Sequence, residues 1–321
     1  MIREMNKNES YAISTIRVLA MLGIILCHFL QVNNNILAWW FNIGVQIFLS
    51  MSGFLLSRKG KPEGYIFLKQ RMKKILLPLY IFIFIVILLR ILYFNDINIF
   101  NILTYIFQIQ GFFSKYKLYE LSHLWYMSII IFCYILYAYK YFGLFQKKYW
   151  IQLLIIMTVS PIIGIGNIIS IFLFTFSYFI SKKYKGNFSN KLILKLFIVS
   201  FSLFFLRIYI EYYLDIDQLY FTYISNLVVE ISKVFIGYFI FLFSYKFFSI
   251  YYKKRNLIPV VRILSVYSYE IYIVHATFIM GPMAIYKISG TLFNIIYTLV
   301  IIFIGAWILN KISNKLLKNL I

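Results

Sequence analysis

Near the start of the chain a cation and an imidazole, Arg17 and His28, flank the stretch Val18 to Cys27, in which every residue is apolar or small. On a helix, each residue turns about 100° and rises about 1.5 Å, so the two side chains would share a face to within about 20° and differ in level by about 16 Å. A guanidinium is suited to forked recognition of phosphate, and an imidazole is a general base near neutral pH. The separation is on the order of a pantetheine arm, so an anionic head group held by Arg17 could set a thioester beside His28. The plainer reading is that Arg17 snorkels to an interface while His28 hydrogen-bonds a neighbouring helix.

The chain has only three histidines, and the other two also fall at the start of, or within, apolar runs. His123 lies in Ser122-His123-Leu124-Trp125-Tyr126-Met127, and His275 follows Ser268 and Tyr272 at i, i+4, i+7 spacing, which places all three on one helical face. Inside lipid such a stripe must face protein or a water-filled cavity. Glu270 points about 140° away from His275 and is expected to pair with a cation such as Arg262. Other charges inside apolar runs are expected to pair as Glu230 with Lys233, Arg207 with Glu211 and Arg90 with Asp96; anchoring of an anionic acceptor by Arg90 or Arg207 is the second reading. No thiolate or carboxylate stands at ligand spacing from the histidines, so no metal site is expected. Cys27 and Cys133, the two cysteines, sit in apolar runs and are expected to be small buried hydrophobes, outside any disulfide framework.

The elements that must position these residues are membrane spans. The 321 residues are 62% hydrophobic, 21% aromatic and 13% charged, against roughly half apolar and about a quarter charged in soluble domains. Apolar runs near the length needed to cross about 30 Å of hydrocarbon recur throughout. They predict an all-α, polytopic integral membrane helical bundle of about ten transmembrane helices, at 12–31, 36–57, 74–94, 122–139, 149–163, 168–181, 192–211, 225–245, 263–285 and 292–310. The first run lacks a cleavage site and is kept as a span. The net charge of +22 would suggest nucleic acid in a soluble protein, but the Lys and Arg residues alternate with the apolar runs, so no nucleic-acid partner is expected. Placed by the positive-inside rule, both termini are cytoplasmic. Only Lys115, Lys117 and Lys287 then fall in outer loops, while Arg17, Arg90, Arg207 and Lys233 remain within spans. The alternation requires that 99–113 does not cross, and it reads as an outer interfacial helix or re-entrant segment. The loop Arg58 to Lys74 is strongly basic, either from topology alone or as a phosphate-binding lip for a nucleotide-bearing donor.

With these residues in hand, the chain resembles the membrane acyltransferase 3 family, bacterial multi-span enzymes that move acyl groups, mostly acetyl, onto sugars and surface polysaccharides. The resemblance rests on Arg17 and His28 with ten residues between, the run Gly44-Val45-Gln46-Ile47-Phe48-Leu49-Ser50-Met51-Ser52-Gly53-Phe54, the His123-Leu124-Trp125-Tyr126 segment, and Ser268-Tyr269 followed by Tyr272 and His275, all in the family's order. It implies a single acyltransferase domain over 1–321 in a bacterial plasma membrane. It further implies Arg17 and His28 as the essential pair, acyl-CoA as cytoplasmic donor, and a cell-envelope glycan or its lipid-linked precursor as acceptor among membrane lipids. Ser52, His123, Trp125, Ser268, Tyr272 and His275 would line the substrate pocket. The family's cytoplasmic pair of arginines stands here as Arg71 and Lys74, and an ammonium cannot make the forked contact of a guanidinium. Because the chain stops at Ile321, just beyond the last span, any acyl relay is expected to use another protein or direct transfer.

Two rival readings remain open from sequence. One is a transporter or exporter of a polysaccharide or lipid-linked sugar, although no inverted repeat or pair of broken helices is visible. The other is transfer of succinyl or another acyl group, since the pocket that measures acyl length is built by side chains from several spans.

Overall fold

A computed structural model of the protein describes residues 5–59, 64–94, 96–139, 164–213, 219–286 and 292–319. Among the described residues there are helices and turns and no strand. In order these are α1 (Lys7–Val32), α2 (Ala38–Phe41), α3 (Gly44–Ser57), α4 (Tyr65–Tyr93), α5 (Ile99–Ile106), the 3-10 segments Ser114–Tyr116 and Tyr119–Leu124, α6 (Trp125–Ala138), α7 (Ile165–Lys183), α8 (Asn190–Tyr213), α9 (Leu219–Tyr251), α10 (Pro259–Ile279) and α11 (Leu292–Asn319). Seven of the described segments are long and apolar enough to cross a membrane. Their outer faces carry large apolar side chains such as Phe84, Leu92, Phe205 and Phe243, each at least half exposed. Contiguous oil of that kind is what lipid, and not water, tolerates. The protein is a multi-pass helical membrane protein.

Most of the long helices run past the oily cores that hydropathy picks out. α4 begins nine residues before the predicted span, so Lys69, Arg71, Lys73 and Lys74 are helical and not in a loop. α8 and α9 are likewise longer at both ends, and α11 carries Lys311, Lys315 and Lys318 on helix beyond the run that ended at 310. The charged ends of α4 and α11 stand outside hydrocarbon and leave no apolar signal, which is why those two boundaries fell short.

Two predicted spans differ more. The run 36–57 is broken into α2 and the 14-residue α3, and α3 rises only about 21 Å. Most of its circumference is buried, so it packs against protein and does not need to match the bilayer on its own. α10 stops at Ile279, six residues before the predicted end, and Gly281 follows at φ 88°, ahead of Pro282; a left-handed glycine and a proline both end helices. The predicted span 149–163 lies outside the described residues. The stretch 99–113 forms only the eight-residue α5, which Asn98 and Asn101 start with a reciprocal capping box. At about 12 Å it is too short to cross.

The chain divides into two compact units. The first comprises Met1–Ala20, Asn42–Lys61 and Phe142–Arg262. Here Gly53 of α3 meets α7 so closely that a Cβ would lie 2.3 Å from the Phe174 carbonyl oxygen, and Ser177 donates to the Ser50 carbonyl at 2.6 Å. Small residues at such a crossing let two backbones approach within a membrane. Asn6 and Glu9 start α1 with mutual 2.9 Å hydrogen bonds. The Glu9 carboxylate also accepts from Tyr245 at 2.9 Å and lies 3.6 Å from the Arg58 guanidinium.

The second unit comprises Met21–Phe41, Pro62–Tyr141 and Ile263–Ile321. In it α4 packs on α6 and α11. It also contains the C-terminal half of α1, most of α10 and all three histidines.

Candidate active site

His28 lies one turn before the end of α1, and that end is held in place. Asn33 donates to the Phe29 carbonyl at 2.7 Å and to the Tyr286 hydroxyl at 2.8 Å. The rings of Phe29 and Tyr286 meet edge to face at 4.9 Å. His123 comes from the 3-10 segment Tyr119–Leu124, and His275 from the last two turns of α10.

The three imidazoles, far apart in sequence, form one cluster. Ring centroids are 5.2 Å apart for His28 and His275, 4.9 Å for His123 and His275, and 6.4 Å for His28 and His123. Tyr272 lies 5.5 Å from the His123 ring and 5.7 Å from that of His275, with Tyr126 behind it at 5.6 Å. His123 and His275 are buried, and His28 is half-buried.

The hydrogen bonds set the tautomers. His123 Nε2 faces the Ile273 carbonyl at 3.0 Å and must donate to it. His275 Nδ1 donates to the Tyr272 carbonyl at 2.7 Å. His28 Nδ1 donates to Gln31 Oε1 at 2.7 Å. In each neutral ring the other nitrogen is then a bare acceptor. His123 Nδ1 and His275 Nε2 are buried without a hydrogen-bond partner, a condition costly enough to point to a donor arriving from elsewhere. Among the described residues no three ligand-type side chains are placed to share a metal ion.

An ion cluster holds the 3-10 segment that carries His123. Arg90 of α4 reaches both oxygens of the fully buried Glu120 carboxylate at 2.9 and 3.0 Å, and also binds Asp96. The pairing of Arg90 with Asp96 agrees with the sequence, and Glu120 is a partner that sequence spacing did not suggest. Thr277, two residues after His275, donates to the Glu120 carbonyl at 3.2 Å. Gly281 lies against the same residue, where an added Cβ would come within 2.8 Å of Glu120 Cβ. Tyr272 closes the arrangement by donating to the His123 carbonyl. The one local cue at Glu120, its place three residues before His123, is silent about Arg90.

The remaining candidates are dispersed. Arg17 is half-buried on the same uninterrupted helix as His28, eleven positions earlier, and belongs to the first unit together with half-buried Ser52. Ser268 is buried but gives its hydroxyl to the Ser265 carbonyl of its own helix at 2.9 Å. Trp125 is half-buried at the start of α6, where its carbonyl lies under Gly111. Arg71 stands over the rings of Phe67 and Tyr134 at 5.8 and 5.6 Å, and Lys74 is exposed.

Four other expectations have different outcomes. Glu230 and Lys233 pair at 2.7 Å, as their spacing suggested. The Glu211 side chain lies outside the described residues, and Arg207 is buried. Glu270 accepts from Asn310 of α11 at 2.9 Å instead of meeting Arg262, which is exposed; a side chain on a packed neighbouring helix lies nearer than one two turns away on the same helix. Both cysteines are buried free thiols.

Comparison with curated proteins and with solved structures gave no match. Residues 10–311, nearly the whole chain and all the residues that build the histidine cluster, match the acyltransferase domain of the acyltransferase 3 family, and the protein is therefore a membrane acyltransferase of that family.

Proposed function

We propose that the protein transfers an acyl group, acetyl in the first instance, from acyl-CoA at the cytoplasmic face of a bacterial plasma membrane to a hydroxyl of a cell-envelope glycan or its lipid-linked precursor. The observation that carries this reading is the contact of three imidazoles from three separate segments, each with one N–H committed and one nitrogen free to accept. A wall of acceptors suits a polyol, whose hydroxyls supply the missing donors. Membership of an acyltransferase family favours transfer over export.

In the proposed step His28 Nε2 takes the proton of the acceptor hydroxyl as its oxygen bonds to the thioester carbonyl carbon. The carbon–sulfur bond then breaks, and the leaving thiolate recovers the proton from His28. His123 Nδ1 and His275 Nε2 accept from other hydroxyls of the sugar and orient the attacking one. Arg17, on the face of α1 shared with His28, holds the anionic part of the donor, with the N–H edge of Arg71 and the Lys74 ammonium as its phosphate contacts.

The test is mass spectrometry of envelope glycans from cells that carry the wild type or a variant at matched membrane levels. His28→Ala is expected to lower acylation by about a hundredfold to ten-thousandfold, the usual worth of a positioned base. Unchanged acylation in His28→Ala would overturn the mechanism.

A further inference from the structure

The basic start of α4 has two faces with different surroundings. Lys69, Lys73, Leu76 and Tyr80 follow one line along the helix to within about 40°, whereas Arg71 and Lys74 lie about 140° to 200° around from Lys69. Arg71 is turned toward the ring of Tyr134 on α6. Lys69 and Lys73 instead line a groove of about 460 Å³ with Tyr65, Leu76, Tyr80 and, from the last turns of α11, Leu317. The donor contacts proposed above lie on the other face of the helix from this second pair of lysines.

The groove is amphiphilic along its length. Its two ammonium groups are at one end, and the opposite end, from Leu76 to Tyr80, is apolar apart from the tyrosine hydroxyl, which donates to the Ile106 carbonyl at 2.6 Å. Lys69 and Tyr80 differ in level by about 16 Å. Tyr65 and Tyr80 are 67% and 37% exposed, so the groove is open along the side of a spanning helix. A coenzyme or nucleotide brings amide and base groups that this lining cannot satisfy, whereas a phosphate joined to a hydrocarbon chain matches both ends.

We propose that this groove is a binding site for an anionic glycerophospholipid of the cytoplasmic leaflet, its phosphate between Lys69 and Lys73 and its acyl chain along Leu76, Leu77 and Tyr80. The site is separate from the acyl-transfer chemistry and stands or falls independently of it.

The experiment measures retention of fluorescent phosphatidylglycerol and phosphatidylcholine by the purified full-length protein in detergent, with coenzyme A binding measured in parallel. Wild type is expected to prefer phosphatidylglycerol. Replacing both lysines (Lys69→Gln with Lys73→Gln) should weaken phosphatidylglycerol binding by on the order of thirtyfold, at about 1 kcal/mol per lysine, and leave phosphatidylcholine unchanged. The pair Lys69→Arg with Lys73→Arg should retain the preference, and Leu76→Trp, which fills the apolar part, should weaken both lipids. Equal binding of the two lipids by wild type, undiminished phosphatidylglycerol binding by the glutamine pair, or loss confined to coenzyme A would each overturn the proposal.

Discussion

Tyr272 donates its hydroxyl hydrogen to the backbone carbonyl of His123, so a side chain on α10 fixes the main chain from which another histidine of the cluster projects. The contact joins residues 149 positions apart, and both rings stay within 5.7 Å of His275.

Tyr272→Phe should keep the ring contacts and lose this bond alone. A stability loss of about 1 kcal/mol is expected in detergent unfolding, with a larger proportional loss of acyl transfer, because the bond positions His123. Equal, small effects on both would show that it contributes only to stability.

Removing one partner of the buried Arg90–Glu120 pair should be severe. Glu120→Ala leaves the guanidinium with only the half-exposed Asp96, and breaking a buried pair costs about 3 to 5 kcal/mol. Arg90→Met combined with Glu120→Gln removes both charges and should recover much of the folded yield, measured by size-exclusion chromatography. A double variant no better than the single one would contradict the pairing argument.

Asp96 lies outside the spans, and its hydrogen bonds with the Arg90 guanidinium hold its carboxyl below the ordinary value. A depressed folded value means that its contribution is present above the unfolded value near 3.8 and is lost as pH falls through the folded one. Stability curves of Asp96→Asn and wild type should therefore differ at neutral pH and converge in acid; a constant offset across that range would refute the assignment.

Two glycines in helices should respond in opposite ways to alanine. At Gly53 the new Cβ would meet the Phe174 carbonyl at 2.3 Å and force α3 from α7, lowering folded yield, whereas Gly23 has nothing within 4 Å. Gly23→Ala is expected to be neutral or to stabilise by up to about 1 kcal/mol through helix propensity. Thermal unfolding of the two variants side by side is the measurement.

What sequence shows at this site is faces, and what it hides is what those faces meet. Helical spacing placed Ser268, Tyr272 and His275 on one stripe, and two of the three do reach the histidine cluster. Ser268 lies about 10 Å lower along the axis than His275 and turns its hydroxyl to its own backbone. The stacking of Arg17 and His28 on one helix was legible for the same reason, because a single helix is a local object. The convergence of His28, His123 and His275, and the clamp of Arg90 on Glu120, depend on contacts across 30 to 247 positions that no periodicity encodes. The break in the run 36–57 falls at Asn42-Ile43 ahead of Gly44, where one polar residue and a glycine did not outweigh the apolar length of the run.

Helix α3 rises only about 21 Å, roughly a third less than the oil of an ordinary bilayer. Because it packs on α7 and α9 and leaves none of its side chains fully exposed, its length answers to the helices around it and not to lipid thickness. A change of bilayer thickness would therefore act on α3 only through those longer neighbours.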